Sequence, residues 1–159
     1  MTTADNWRYK TLLIKSQTEI QAPIEVVFSY LEDNNKQKEW MTGLEGTEYL
    51  TKFDISNPVG VKFKQKLREG NRIQEYEGQV TEYNKNNRIS IQMNHPTFLI
   101  NVSYNLQKIS PNSSILYISE ELTAKTVSGK ILSILFRVFM KKGLEKQMKA
   151  LKQCAEKQL

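Results

Sequence analysis

Few residues of this chain could act as a catalytic base, a nucleophile or a metal ligand. The sequence holds one histidine, His95, and one cysteine, Cys154. Zinc sites usually combine several histidine and cysteine ligands, often spaced as Cys-x-x-Cys or His-Glu-x-x-His, and neither spacing occurs here. A glycine-rich phosphate-binding loop is also absent from the sequence. The sequence therefore predicts a protein that uses no metal and no cofactor.

The single histidine is a weak candidate for catalysis. His95 directly precedes Pro96 at the end of a predicted strand, which favours a turn whose side chain is exposed to solvent. A Ser-His-Asp triad would have to use this histidine as its only base. We therefore interpret His95 first as a turn residue.

Two polar residues stand where the alternation of strand residues predicts inward side chains, namely Gln65 and Glu120. An unpartnered buried amide costs on the order of 1–3 kcal/mol, so each side chain needs a partner. The partner could be Tyr76, Tyr104, a water molecule or a ligand. Both a structural role and a ligand-orienting role stay open.

The elements that would position these residues begin with a strand over residues 11–20, which is partly alternating and rich in β-branched residues. Pro23 then suits the start of a helix whose apolar residues recur at i, i+3, i+4 and i+7. A short second helix is predicted over residues 36–40. Gly43 and Gly46 are interpreted as turn residues that follow it.

Strand patterns continue from there to residue 123. Period-two alternation separates one apolar face from one polar face, and Gly78 is interpreted as a candidate bulge. Short turns between consecutive strands indicate an antiparallel meander. The clearest strands are 60–70, 72–83, 88–95, 98–106 and 114–122.

The chain ends in a predicted helix over residues 128–158. The residues expected to face the core are spaced by 4, 3 and 4 positions and are Leu144, Met148, Leu151 and Ala155. One sheet with a single wet face and helices on one side is an α+β arrangement. We expect residues 1–159 to form one domain, because a chain of 159 residues suits one.

Several segments, taken in order, resemble the START-like or SRPBCC superfamily, whose members have the helix-grip fold. They are the opening TEIQAPIEVVFSYLEDNNKQKEW, the PVGVKF segment, the central YEGQVTEYNKNNRISIQM and the terminal LKQCAEKQ. The resemblance spans about residues 10–158. It implies about seven curved antiparallel strands around a long C-terminal helix, with two short helices after the first strand. Members of this superfamily include lipid carriers, plant hormone and allergen proteins, polyketide cyclases and chaperone activators.

The resemblance also implies an apolar cavity between the sheet and the terminal helix. A cavity for a drug-sized ligand would hold on the order of 300 Å³ or more. Inward strand positions and the start of the terminal helix supply the predicted ligand-binding residues. They are Phe63, Gln65, Leu67, Tyr76, Ile91, Met93, Ile100, Val102, Tyr104, Glu120, Phe136 and Met140.

The segment 131–140 is apolar around most of a helix, over an arc of roughly 240°. Burial beneath the rim of the sheet is the favoured interpretation. Since one sheet face cannot cover so wide an arc, we also expect Phe136, Phe139 and Met140 to cap the mouth of the cavity. Contact with a second chain and exposure to solvent remain the alternatives.

The first functional hypothesis is a non-catalytic carrier or sensor of a small hydrophobic molecule, such as a lipid, polyketide or isoprenoid. A cyclase or dehydratase-like enzyme acting in the same cavity is the second hypothesis, and a protein- or membrane-docking module is the third. The net charge of +6 permits transient contact with a membrane. Nucleic acid is not expected, because no aromatic residues interleave with the basic row Lys62, Lys64, Lys66 and Arg68. We expect a monomer or a weak dimer.

The location of the protein is predicted from what the sequence lacks. One cysteine cannot form an intramolecular disulfide and is typical of a reducing compartment. Residues 1–6 are polar, and no apolar run approaches the roughly 18 residues of a membrane span. We therefore expect a cytoplasmic protein.

Overall fold

The computed structural model describes residues 11–135 and 137–158, except for the side chains of Lys130, Ser133 and Ile134. Strands and helices follow each other in the predicted order. Their bounds are β1 Thr11–Ile20, α1 Ile24–Glu32, α2 Asn34–Trp40, β2 Leu44–Tyr49, β3 Lys62–Glu69, β4 Arg72–Asn84, β5 Arg88–Asn94, β6 Phe98–Ser110, β7 Ser113–Ala124, α3 Val127–Leu135 and α4 Arg137–Glu156.

Seven antiparallel strands form one open sheet in the order β1-β7-β6-β5-β4-β3-β2. Strands β2 to β6 each pair with the next strand along the chain, and β1 pairs with β7. This arrangement confirms the predicted meander and the α+β helix-grip fold. Within each regular stretch of a strand, alternate residues face the same side of the sheet, and the register shifts in β2 and β4 change which residues face inward.

Helix α4 covers only one part of the inner face. Its predicted stripe, Leu144, Met148, Leu151 and Ala155, is buried as expected. The helix packs against β1, α1 and α2 rather than across the centre of the sheet. Helix α4 therefore does not pack closely on the middle strands, and space is left between the helix and this part of the inner face.

Asp33 explains why the first helical region is divided into two helices. It closes α1 as its C-cap, and its carboxylate accepts hydrogen bonds from the backbone N–H groups of Asn35 at 2.8 Å and Lys36 at 3.3 Å. Helix α2 therefore begins at Asn34, two residues before the predicted start. The indole Nε1–H of Trp40 donates to the carbonyl oxygen of Tyr30 at 2.9 Å and ties α2 back to α1.

The predicted bulge at Gly78 is wrong. Gly78 stands in regular register between Phe63 and Met93, and the register shift in β4 lies between Val80 and Glu82. Glycine is needed at this position for space, because a Cβ atom would lie 2.7 Å from Cζ of Phe63.

Only one of the two glycines interpreted as turn residues lies in a turn. Gly43 has φ +83°, a conformation that favours glycine, and a Cβ atom there would lie 2.8 Å from the carbonyl oxygen of Arg68. Gly46 instead lies inside β2, beside a register shift between Leu44 and Gly46. Glycine occurs at irregular positions within strands as well as in turns. The residue type alone therefore could not show that Gly46 lies in a strand.

The terminal region is helical on both sides of residue 136, as α3 and α4, in agreement with the helix predicted over residues 128–158. Burial of the segment 131–140 is wrong for most of its described side chains. The side chains of Val127, Ile131 and Leu135 on α3, here called the apolar stripe, are 74%, 57% and 71% exposed, and Phe139 is 73% exposed. Helix α3 packs on β7, and these described side chains point away from that contact.

Among the described residues, no helix is both long and apolar enough to span a membrane.

The spatial constraint at Gly78 gives a testable expectation. Gly78→Ala should lower the free energy of unfolding by about 1–3 kcal/mol, because the new methyl group meets Phe63 and the carbonyl oxygen of Gln92 at 2.8 Å. Urea unfolding curves measure the difference. Gly46→Ala is the matched control, because a Cβ there meets nothing within 4 Å. Equal stabilities of the two variants would contradict the steric explanation.

Candidate functional site

A pocket of about 230 Å³ lies between the inner face of the sheet and α4, and we call it the α4 pocket. Ten of the predicted ligand-binding residues line it: Gln65, Leu67, Tyr76, Ile91, Met93, Ile100, Val102, Tyr104, Glu120 and Met140. Phe63 lies elsewhere, in the second pocket described below. Phe136 lies outside the described residues. Of the predicted mouth residues, Met140 lines the pocket and Phe139 is exposed.

One end of the α4 pocket carries a polar group of three side chains. The phenol of Tyr76 donates a hydrogen bond of 2.6 Å to Oε1 of Glu69, and the ring of His95 stacks on the Tyr76 ring with centroids 5.3 Å apart. Burial, reinforced by the hydrogen bond to Glu69, raises the pKa of Tyr76 to about 12. Tyr76 therefore stays a neutral proton donor at physiological pH.

His95 is partly buried against this pocket and is not the solvent-exposed turn residue that was predicted. Burial lowers the pKa of His95, opposed by Glu69 and assisted by Lys125, so the ring is neutral at pH 7. Its Nδ1 accepts a 3.0 Å hydrogen bond from the backbone N–H of Thr97, which leaves the ring proton on Nε2. A Ser-His-Asp triad requires Nδ1 to donate to a carboxylate, so His95 does not form one in this arrangement.

Glu120 points inward from β7, as the alternation predicted, and pairs with Val102 across the strands. Burial raises the pKa of this carboxyl. Burial also raises the pKa of the neighbouring Tyr104 phenol, and the charge of Glu120 adds to that shift. The Tyr104 ring meets Trp40 edge-on, with centroids 6.4 Å apart. Glu120 and Tyr104 thus form a second polar position in a largely apolar wall.

A second pocket of about 90 Å³ lies beside the first, between α2 and the inner face of β2 to β5, and we call it the α2 pocket. Four residues line both pockets and form the boundary between them: Met41, Gln65, Ile91 and Tyr104. The expected single cavity of 300 Å³ is thus replaced by two adjacent and smaller volumes. The side chains at the boundary separate two volumes that were expected to form one continuous cavity.

Sequence reasoning missed several residues that line the α4 pocket. Glu69 continues the alternation of Gln65 and Leu67, so period two could have found it. Gln147 lies one turn after Leu144 on the pocket side of α4, which helical spacing could also have indicated. The position of His95 depends on how the β5–β6 turn folds over Tyr76, and no local pattern indicates that.

The basic row on the outer face of β3 is largely neutralised by neighbouring strands. Lys64 and Lys66 form ion pairs with Glu75 at 3.2 and 3.7 Å, and Arg68 pairs with Glu45 at 2.6 Å. Within the described part of the chain, no cluster of three or more histidine, cysteine or acidic side chains could hold a metal ion.

Comparison with known proteins gives one family match. The family described as "Polyketide cyclase / dehydrase and lipid transport" matches residues 11–156, which is almost the whole chain. No curated protein matches the chain in sequence.

Solved structures with similar folds are distant in sequence. An aromatase/cyclase, Zhui, from Streptomyces sp. R1128 has a TM-score of 0.76 at 9% identity, covering 92% of this chain and 94% of that one. A START superfamily protein from Mycobacterium smegmatis has a TM-score of 0.66 at 15% identity, with coverages of 92% and 95%. Norcoclaurine synthase from Thalictrum flavum, solved with dopamine and hydroxybenzaldehyde, has a TM-score of 0.66 at 13% identity, with coverages of 96% and 91%.

The buried carboxyl of Glu120 predicts a pH-dependent stability. Its folded-state pKa is raised above the ordinary 4.5, so the ionised form destabilises the folded state, and this penalty grows as pH rises through and above that value. Glu120→Gln should therefore be more stable than the parent by about 1–3 kcal/mol at pH 7, with the difference disappearing below about pH 4. Melting curves across pH measure it.

Glu121→Gln is the matched control, because Glu121 is the next residue along β7 and is exposed. It should change stability by less than about 0.5 kcal/mol at every pH. A gain for Glu120→Gln that does not vary with pH would show that ionisation is not its cause.

Proposed function

Because the chain belongs to the polyketide cyclase/dehydrase and lipid transport family, we propose that it binds a small hydrophobic molecule in the α4 pocket. The observation that carries the proposal is the composition of the pocket wall. Eight of its fifteen lining residues are aliphatic or methionine, and polar groups stand at one end and beside Glu120 and Tyr104. This is the usual composition of a ligand pocket, in which burial supplies affinity and a few polar groups set orientation.

The apolar part of the wall supplies the driving force. Each Å² of apolar ligand surface removed from water contributes on the order of 25 cal/mol. Neutral Tyr76, neutral His95 and the partly buried Glu120 then offer hydrogen bonds without a permanent pair of opposite charges. Such a site suits a molecule that is mostly hydrocarbon with one or two oxygen functions.

The cytoplasmic location and the transient contact with a membrane belong to this proposal. The exposed apolar stripe and the lysines that follow it on α4, including Lys141 and Lys142, would suit an anionic bilayer surface. Cosedimentation with anionic vesicles measures such contact, and its absence would remove the membrane from the proposal while leaving the pocket untouched.

Filling the α4 pocket should block ligand binding. Ile100 lines the pocket from β6, so Ile100→Phe places extra volume inside it. The dissociation constant of a neutral apolar dye such as Nile red should rise about tenfold or more, since about 1.4 kcal/mol of lost contact is a factor of ten. A fluorescence titration measures the change.

The control for this experiment lies on the opposite face of the same strand. Leu99→Phe adds the same kind of side chain at the adjacent position, which alternation directs away from the pocket. It should leave the affinity for the dye unchanged. If neither the parent nor the control binds the dye with defined stoichiometry, the proposed function is wrong.

A second function, a cyclase or dehydratase-like activity, is favoured by the group of Tyr76, Glu69 and His95. An aldol ring closure removes a proton from carbon, adds that carbon to a carbonyl and later expels water. The Glu69 carboxylate is hydrogen-bonded to the Tyr76 phenol, so the two could exchange a proton with substrate. His95, with its proton on Nε2, would donate a hydrogen bond to a carbonyl oxygen rather than act as the base.

Removal of the Tyr76 hydroxyl separates the two functions. With a short poly-β-keto thioester as test substrate, Tyr76→Phe should keep affinity within about threefold and lower any enzyme-dependent loss of water at least a hundredfold, as typical for an acid–base group. Mass spectrometry of the product against a protein-free blank measures the rate. If the parent converts no more substrate than the blank, the enzymatic function is removed and binding alone stands.

A further inference from the structure

Three residues that line the α2 pocket each carry a buried polar atom without a hydrogen-bond partner among the described residues. The atoms are Oε1 of Gln37, Oγ1 of Thr47 and Oε1 of Gln65. The Gln65 residue is only 4% exposed. Buried polar atoms in folded proteins nearly always have partners, because leaving one unsatisfied is costly. Three in one pocket indicate a missing partner that the pocket is shaped to hold.

The surrounding structure fixes how these atoms are presented. Nε2 of Gln37 donates to the carbonyl oxygen of Leu31 at 2.6 Å, so the amide is held with its oxygen as the remaining group. Thr47 and Gln65 are direct cross-strand partners on β2 and β3, and their side chains therefore share the inner face. The three side chains thus border the pocket from a helix on one side and a strand pair on the other.

The chemistry of the three atoms defines what they bind. Amide carbonyl oxygens only accept hydrogen bonds, so two of the three require a donor, and the threonine hydroxyl can accept as well. The one carboxylate in the wall, Glu32, is engaged by the Tyr83 hydroxyl at 2.9 Å and by Lys85. Because that negative charge is already paired, the pocket suits a neutral O–H or N–H donor better than a cation.

The rest of the α2 pocket is aromatic and apolar. Tyr49 and Phe53 stack in its wall with centroids 4.4 Å apart and an interplanar angle of 15°, and Trp40 and Phe63 also contribute. Flat walls of this kind favour a flat ring, because rings pack in offset or edge-on arrangements against one another. The favoured occupant is thus a small aromatic ring that carries a hydroxyl group.

We propose that the α2 pocket is a donor-selective subsite, which holds the hydroxylated aromatic end of a ligand whose apolar body lies in the α4 pocket. The inference rests on the proposed function and names the ligand class for it. Gln65 lies on the boundary of both pockets, beside Met41, Ile91 and Tyr104. A ligand that crosses this boundary brings its hydroxyl group within reach of the amide oxygen.

The test compares para-hydroxystilbene with trans-stilbene, which has the same skeleton and no donor. Displacement of Nile red from the full-length protein gives both affinities. The hydroxylated compound should bind at least about tenfold more tightly, since a site built around polar atoms rejects the analogue that leaves them unpaired. In Gln65→Met, which keeps an unbranched side chain of similar length, this preference should fall to about threefold or less.

Two further variants make the result specific. Thr47→Val removes one hydroxyl group at constant shape and should also reduce the preference. Gln79→Met is the matched control, because Gln79 pairs with Lys62 on the outer face of the sheet, and it should keep the full preference. Gln65→Met should also melt at the same or a higher temperature than the parent, because it removes an unsatisfied buried group.

Each outcome decides between the possibilities. If both stilbenes bind with equal affinity, the subsite is overturned while the proposed function stands. If neither binds and Nile red also fails to bind, the proposed function itself fails. If Gln65→Met loses stability and the ligand preference is unchanged, the partner of the amide is an ordered water molecule and the subsite is again overturned.

Discussion

The packing of one helix on a much wider sheet is the constraint on which the rest of the structure depends. Seven strands spaced about 4.8 Å apart extend across roughly 30 Å, while a helix with its side chains is about 10 Å wide. The buried residues of α4 pack closely on β1 and on the two short helices, and the helix does not also pack closely on β3 to β5. Both pockets lie in the space that remains between the helices and these strands, so the pockets follow from the ratio of these widths.

Burial of this inner face also determines the protonation of the groups that line it. Tyr76, Tyr104 and Glu120 all have raised pKa values, and burial is the largest cause for each. His95 shifts in the opposite direction for the same reason, because its charged form is the cation. Burial thus pushes every one of these groups toward its neutral form, and a molecule entering the pocket meets dipoles and few charges.

The part of the site that follows local rules could be predicted from the sequence. Period two placed Gln65, Tyr104 and Glu120 on the inner face correctly, because the pleat leaves a strand residue only two directions to face. Residues such as His95 depend on how a turn folds over a neighbouring strand, which the local pattern does not contain. The unpaired oxygens of Gln37 and Thr47 could not be foreseen either, since satisfaction of a hydrogen bond is a property of the whole neighbourhood.

The same limit explains why burial of the segment 131–140 was predicted wrongly. Apolar residues every three or four positions describe a helix that has something to cover, but they do not say whether the sheet reaches it. Here α3 packs on β7 at the rim, and Val127, Ile131 and Leu135 face solvent. Alternation within a strand and spacing within a helix show which side chains point in the same direction. Whether another element packs over those side chains depends on the relative sizes of the elements.

The apolar stripe has a consequence for how the protein behaves in solution. Covering about 200 Å² of such surface is worth roughly 5 kcal/mol at 25 cal/mol per Å², which is comparable to the whole stability of a small domain. Detergent monomers, plastic surfaces and other copies of the chain all offer that gain. Adsorption losses and buffer composition will therefore set the measured concentration of active protein, and a sample kept dilute in a detergent-free buffer will differ from one that is concentrated and stored.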